Sequence, residues 1–387
     1  MNNRQRRVPL LLDGGTGEEL FRRNVPDDRK IWSATALVHP EYHDILEQVH
    51  GSFLQSGSNF ITTNSYGVVP GVGFNEQEIE CYTNQAGMIA RQAVTKFMSS
   101  TRSDNNFNDR EMQQEKVFVL GSLGPLVESY RPDLILPHPE GSKFYRRMCQ
   151  SLAPHVDAFL GETMSSVAES LQVLDAVASL GPQEQRPLFI SYTLDSKGNF
   201  RDGKELPIGI REMLDHWKSK YHQAEGKLML DVDLKLKLEN DFVVSAFFFS
   251  NPNVLCDYKV SAVLFNCCLP EAITIALERI RSDKDLVALL NESGILLGAY
   301  ANRLTHIDAG WSLQESESPQ SLRQDLDEDQ YWTDFVSRWI NEHQVQLVGG
   351  CCGIRPSHIA HIRNKLRELH QSELLPPSHF YITLSQL

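Results

Sequence analysis

Four of the seven cysteines stand in two adjacent pairs, Cys267–Cys268 in FNCC and Cys351–Cys352 in GGCCG. Thiolates are soft ligands that suit zinc, and three of them from two places in the chain would leave the fourth tetrahedral position open for a substrate. A closed structural zinc site takes four protein ligands, often with a C-x2-C spacing that is absent here. Spacing alone leaves three readings open: an open catalytic metal centre, buried inert thiols, or a redox pair, although a disulfide between sequence neighbours is strained. Cys81, Cys149 and Cys256 stand alone. His358 and His361 in HIAHI are three apart on a helical stretch and read as surface or packing residues. Zincin, GxSxG and EF-hand patterns are missing.

These residues need elements to bring them together. Eight short apolar runs recur, at residues 8–15, 58–66, 116–125, 156–164, 187–194, 259–268, 294–302 and 345–353, each ending in polar, Gly or Cys residues. They are nearly continuous in apolar character, as parallel strands buried on both faces should be. Helix-period stretches lie between them: Ile45, Leu46, Val49 and Phe53 share one face, as do Val167, Leu171, Leu174 and Val177. After the last run, Ser357 offers a helix cap before the stripe Ile359, Ile362 and Leu366. The pattern predicts a single-domain (β/α)8 TIM barrel over residues 1–370, with a C-terminal tail at 371–387. A doubly wound sheet is the runner-up, but Gly14, Gly15 and Gly17 have the wrong spacing for a dinucleotide loop, and Asp13 would repel phosphate. The Gly14–Gly15 pair reads either as a tight strand-to-helix turn or as a backbone ligand site.

Barrel enzymes carry their chemistry at the C-terminal strand ends, where this chain has Asp13, Asn64, Glu162, Cys267, Cys268, Cys351 and Cys352. Two segments break the rhythm. Residues 100–115 are rich in Asn and Asp and read as a solvated loop. The stretch between strands five and six is the longest, and inside it residues 228–239 alternate with period two like a half-exposed strand, which a closed barrel cannot pair. Residues 220–250 are therefore expected to be an insertion whose order the sequence does not set.

With 50 acidic against 37 basic side chains the net charge is -13, which repels nucleic acid and anionic lipid. No stretch approaches the roughly 20 apolar residues of a membrane span, and the N-terminal apolar run is too short for a signal peptide. Seven cysteines without a secretion signal point to reduced thiols in a cytoplasmic protein rather than to a disulfide framework.

Taken together, LLDGGTGEEL, ITTNSY, GSLGP, ETMSSVAE, FNCC and GGCCG followed by RPSHI resemble the homocysteine S-methyltransferases, from about Leu10 to Leu366 apart from the insertion. GGCCG paired with an earlier Asn-Cys strand end is the specific element; DGG and ETM alone are weak. IWSATAL looks more like the S-methylmethionine-using branch than like betaine-homocysteine methyltransferase. The resemblance implies that Cys267, Cys351 and Cys352 bind one Zn2+ per chain. Regular strand alternation would keep Cys267 and Cys268 from reaching one metal together, which makes Cys268 a packing residue or a thiol just outside the ligand set.

The resemblance also implies that Asp13 and Glu162 recognise the ammonium group of L-homocysteine, while the amides of Gly14 and Gly15 could receive its carboxylate. The plainer alternatives are an Asx turn for Asp13 and a helix-capping carboxylate for Glu162. Tyr66 either lines a donor pocket or is a rim aromatic. The implied reaction moves a methyl group from S-methyl-L-methionine, or S-adenosylmethionine, to the homocysteine thiolate, giving L-methionine. Betaine is the alternative donor. A reading from another class is a non-catalytic zinc- or thiol-binding barrel, its sixth strand and Cys267 displaced by the insertion.

Overall fold

Each of the eight apolar runs supplies one strand of a single all-parallel sheet. The computed structural model describes residues 9–103, 116–228, 260–305 and 321–372. In chain order the elements are β1 (Leu10–Leu11), α1 (Thr16–Arg22), α2 (Thr35–Val38), α3 (His43–Gln55), β2 (Phe60–Thr62), α4 (Glu76–Ser103) and β3 (Phe118–Leu123). There follow α5 (His138–Leu152), β4 (Ala158–Met164), α6 (Val167–Ala178), β5 (Leu188–Tyr192), α7 (Leu206–Leu228), β6 (Val260–Asn266), α8 (Pro270–Ser282) and α9 (Lys284–Glu292). The chain closes with β7 (Leu296–Tyr300), α10 (Glu328–Gln330), α11 (Ser337–Asn341), β8 (Leu347–Val348) and α12 (Pro356–Ser372).

The strand order β1-β8-β7-β6-β5-β4-β3-β2 is that of a (β/α)8 barrel opened at one seam. Asn59 bridges that seam: its N–H donates to Leu11 O at 2.8 Å, and its Oδ1 accepts from Leu11 N–H at 2.9 Å. Strand alternation then sorts the side chains. Leu120, Leu160, Phe189 and Leu264 point into the barrel, while their neighbours Val119, Phe159, Ile190 and Val263 pack under the helices. The next inward positions are polar: Ser122, Glu162, Ser191 and Asn266 each stand two residues beyond an apolar one, so an apolar plug carries a polar floor at the C-terminal mouth.

Several expectations are corrected. Helix α12 begins at Pro356, so Ser357 lies inside its first turn and donates to Glu328 Oε1 at 2.7 Å instead of capping. Proline suits that first position because its missing N–H has no helical partner there anyway. The segment expected as a loop from residue 100 starts as the last turn of α4, and residues 104–115 lie outside the described residues. Likewise α7 takes up the start of the 220–250 insertion as far as Leu228, and the rest of the period-two stretch lies outside the described residues. Strand β6 is not displaced: it pairs in parallel with β5 from Leu188 to Tyr192 and with β7 from Leu296 to Tyr300, which removes the premise of a barrel disabled at its sixth strand. No helix among the described residues is long and apolar enough to cross a membrane.

Candidate metal centre

The two cysteine pairs meet across the mouth of the barrel. Beyond Asn266 the regular strand ends, because Cys267 adopts φ +50, and its side chain turns back over the mouth beside Tyr130, Leu304 and Cys352. Cys268 goes the other way, into the helix-facing core. The Sγ atoms of Cys267, Cys351 and Cys352 all lie within 4.8 Å of one another, and those of Cys351 and Cys352 are 3.8 Å apart. Tetrahedral zinc with Zn–S bonds of ~2.3 Å sets sulfurs roughly 3.8 Å apart, so this soft donor set fits the metal and leaves one position for a fourth ligand. Hydrogen bonds from the Cys351 and Cys352 thiols hold Cys267 well below the ordinary thiol range, and the same bonds to Cys267 push the other two up.

The turn that presents Cys351 and Cys352 is fastened to the first strand end. Gly350 N–H donates to Asp13 O at 3.0 Å, and Gly15 N–H donates to Ile354 O at 2.9 Å. A Cβ on Gly15 would come within 2.9 Å of Cys351 O, so only glycine lets the two backbones approach this closely. The Gly15 amide, expected as a possible carboxylate site, is therefore already engaged within the protein.

Asp13 and Glu162 face each other beside the sulfurs, and each is tied down from below. Asp13 accepts from Thr62 N–H at 2.7 Å and from Thr62 Oγ1 at 3.0 Å. Glu162 accepts from Ser122 Oγ at 2.6 Å and from the Tyr300 hydroxyl at 3.3 Å. Burial pushes Asp13 up to about 7 against the pull of its Thr62 bonds. It pushes Glu162 up to about 8, with the Cys267 and Asp13 charges adding to the rise and the Ser122 bond opposing it. Asp13 is buried and Glu162 half-buried at the mouth, and both sit where their ionised form is disfavoured. Glu162 is part of the mouth and does not act as a helix cap; that task on α6 falls to Ser166, whose Oγ accepts from Glu169 N–H.

Tyr66 sits at the outer side of the sulfurs, half-buried, with its hydroxyl 2.6 Å from Ser129 Oγ. Its ring stands edge-on to Trp32, with centroids 6.1 Å apart. Burial first, and then the Cys267 charge, raises its pKa. Trp32 (φ +47) and Tyr130 (φ +67) pack against the cysteine cluster in left-handed backbone conformations, which cost energy and concentrate at working sites. Asn64, expected at a strand end with the site residues, instead donates from Nδ2 to Ser33 O at 2.8 Å and anchors the segment that carries Trp32. Trp32, Tyr130, Ser122, Thr62 and Tyr300 were not singled out from the sequence. The two-residue step from an apolar interior position would have found Ser122, while Trp32 inside IWSATAL and Tyr130 after GSLGP carried no signal by spacing.

The comparisons with known proteins agree with this geometry. The family model for homocysteine S-methyltransferase matches residues 10–220 and 248–366, and its gap falls within the expected insertion. Homocysteine S-methyltransferase 2 of Arabidopsis thaliana is 22% identical over 374 residues, covering 92% of both chains. Homocysteine S-methyltransferase 1 of Saccharomyces cerevisiae is 25% identical over 238 residues, 57% of this chain and 67% of that one. A selenocysteine methyltransferase of Astragalus bisulcatus is 30% identical over 121 residues, and that match spans 30% of this chain and 35% of the plant protein. Among solved structures, the metallated form of the homocysteine methyltransferase MmuM from Escherichia coli superposes with a TM-score of 0.62 at 20% identity, covering 93% of this chain and 96% of that one, which supports the barrel fold. With the family model matched over most of its length and its cysteine pairs meeting at the barrel mouth, this chain belongs to the homocysteine S-methyltransferase family.

Proposed function

We propose that this methyltransferase uses S-methyl-L-methionine, with S-adenosylmethionine as a substitute, to methylate L-homocysteine, and that Cys267, Cys351 and Cys352 hold one zinc per chain for the purpose. The observation that carries the reading is three convergent sulfurs beside two carboxyl groups whose ionised form burial disfavours. Zinc bound there would supply a Lewis acid that keeps the substrate sulfur deprotonated and nucleophilic at neutral pH.

The chain's own residues do the rest. Asp13 and Glu162 bind the ammonium group, and that positive charge returns both carboxyls to their ionised form. The Gly14 amide meets the carboxylate, which fixes the amino acid at both ends and aims its sulfur at the cysteines. On the other side stand the rings of Trp32, Tyr66 and Tyr130, whose π faces attract a cationic sulfonium. The overall charge of -13 favours approach of a cationic donor. Methyl transfer is a displacement in which donor and acceptor must be aligned, so positioning supplies much of the rate.

A donor panel tests the reading. Zinc-loaded protein with homocysteine should form methionine fastest from S-methylmethionine, more slowly from S-adenosylmethionine, and negligibly from betaine. Preferential use of betaine would overturn the donor assignment and leave the homocysteine site standing.

A further inference from the structure

The geometry points to Arg201 as the residue that binds the carboxylate of the amino-acid methyl donor. This rests on the sulfonium-donor reading above and extends it to the far end of the donor. Arg201 follows β5 in a short hairpin closed by the antiparallel bridge between Leu194 and Phe200, and its N–H donates to Ser165 O at 3.0 Å. That pair of ties fixes the residue between the loops after β4 and β5. Its guanidinium carbon lies 4.7 Å from the centroid of the Tyr130 ring, and the Tyr130 hydroxyl reaches Cys267. The cation is thus one tyrosine away from the sulfurs, on the aromatic side where the donor enters.

Arg201 differs from several of the other half-buried arginines. Arg91, Arg147, Arg211 and Arg323 are each paired with a carboxylate. Arg201 makes no ion pair with any described residue, and its Nε is buried with no hydrogen-bond partner among them. A buried donor on a permanent cation costs free energy unless something arrives to accept from it. In a mouth otherwise lined by thiols and carboxylates, Arg201 is suited to a planar anionic group, and its fork matches a carboxylate. S-Methylmethionine and S-adenosylmethionine both carry that group a few bonds from the sulfonium, and Arg201 stands against the Tyr130 ring of the aromatic wall.

The test compares S-methylmethionine with its carboxamide, in wild type and in Arg201→Gln and Arg201→Lys, all zinc-loaded. Arg201→Gln should raise the KM for S-methylmethionine about 10–100-fold, the worth of a charge-assisted hydrogen bond, with kcat little changed. The homocysteine KM should stay at its wild-type value, and Arg201→Lys should recover part of the loss. Wild type should discriminate against the carboxamide, and Arg201→Gln should not. If wild type uses acid and carboxamide equally, or if the homocysteine KM rises in place of the donor KM, the assignment of Arg201 is overturned while the donor reading survives. No methionine from S-methylmethionine in wild type would overturn both.

Discussion

Asn266 Nδ2 donates to Thr163 Oγ1 at 2.8 Å, and Thr163 N–H donates back to Asn266 Oδ1 at 3.2 Å. The pair fastens the end of β6 to an irregularity in β4, where the register shifts between Gly161 and Met164 and Thr163 is held at φ +61. A β-branched residue does not stay there unaided. The neighbours of this pair are Glu162 and Cys267, so one amide sets the directions of the carboxylate proposed to bind the ammonium and of a thiol proposed to bind the metal. Ser191 Oγ adds a third bond to Asn266 Oδ1 at 2.7 Å.

Asn266→Ala should therefore weaken zinc binding about 10–100-fold, as loss of an outer orienting group does at metal sites. It should also cost roughly 3 kcal/mol of stability by leaving buried partners unsatisfied. Competition titration with a chelator and urea unfolding measure the two effects. Unchanged zinc affinity would show that Cys267 is positioned without this amide.

Glu162→Gln should raise the homocysteine KM about 10–100-fold, because a charge-assisted bond to the ammonium is lost. The donor KM should be unaffected. Since burial opposes the charge on Glu162, the free protein should be as stable as wild type or more so, the signature of a group kept for function at the expense of folding. Asp13→Asn should raise the same KM but destabilise the fold, because Asp13 also accepts from Thr62 across the β1–β2 seam.

His50, on α3, is fully buried, and neither ring nitrogen has a hydrogen-bond partner. Burial lowers its pKa from the ordinary 6.5 to about 4. The unfolded chain therefore binds more protons than the folded one between those values. The stability this group allows is fully present above pH 6.5 and is lost as pH falls towards 4, about 3 kcal/mol over the window. His50→Leu should flatten the pH dependence of unfolding by that amount; parallel wild-type and variant curves between pH 7 and 4 would exclude His50 as the source.

The barrel was legible because parallel strands buried on both faces leave near-continuous apolar runs, and every one of the eight contains a strand. The cysteine triad was legible for a related reason: FNCC and GGCCG end such runs, and barrel topology brings strand ends to one mouth. Thr62, Tyr130 and Tyr300 were not, because their roles come from contacts between loops and strands distant in sequence. Cys267 shows the limit clearly. Alternation predicted that only one of Cys267 and Cys268 faces the site, but not that Cys267 gets there through a left-handed backbone. Arg201 carried no sequence signal at all, since an arginine without a carboxylate partner among the described residues is recognised only once its neighbours are known.

Tyr331 gives a fourth prediction. It opens a π-helical turn over Tyr331–Val336, and its hydroxyl accepts from Ala301 N–H at 3.2 Å and donates to Gly349 O at 2.8 Å, linking the ends of β7 and β8 just below Cys351. Tyr331→Phe should leave the barrel folded and speed zinc loss to a chelator several-fold. Zinc loss at the wild-type rate would make the bridge purely structural.

The most direct test of the three-cysteine centre is zinc per chain, measured on freshly purified, reduced protein for wild type, Cys351→Ser and Cys268→Ser, with methionine formation from S-methylmethionine followed on the same samples. About one zinc in wild type and in Cys268→Ser, and both metal and turnover lost in Cys351→Ser, is the expected result. Full zinc and undiminished turnover in Cys351→Ser would contradict it.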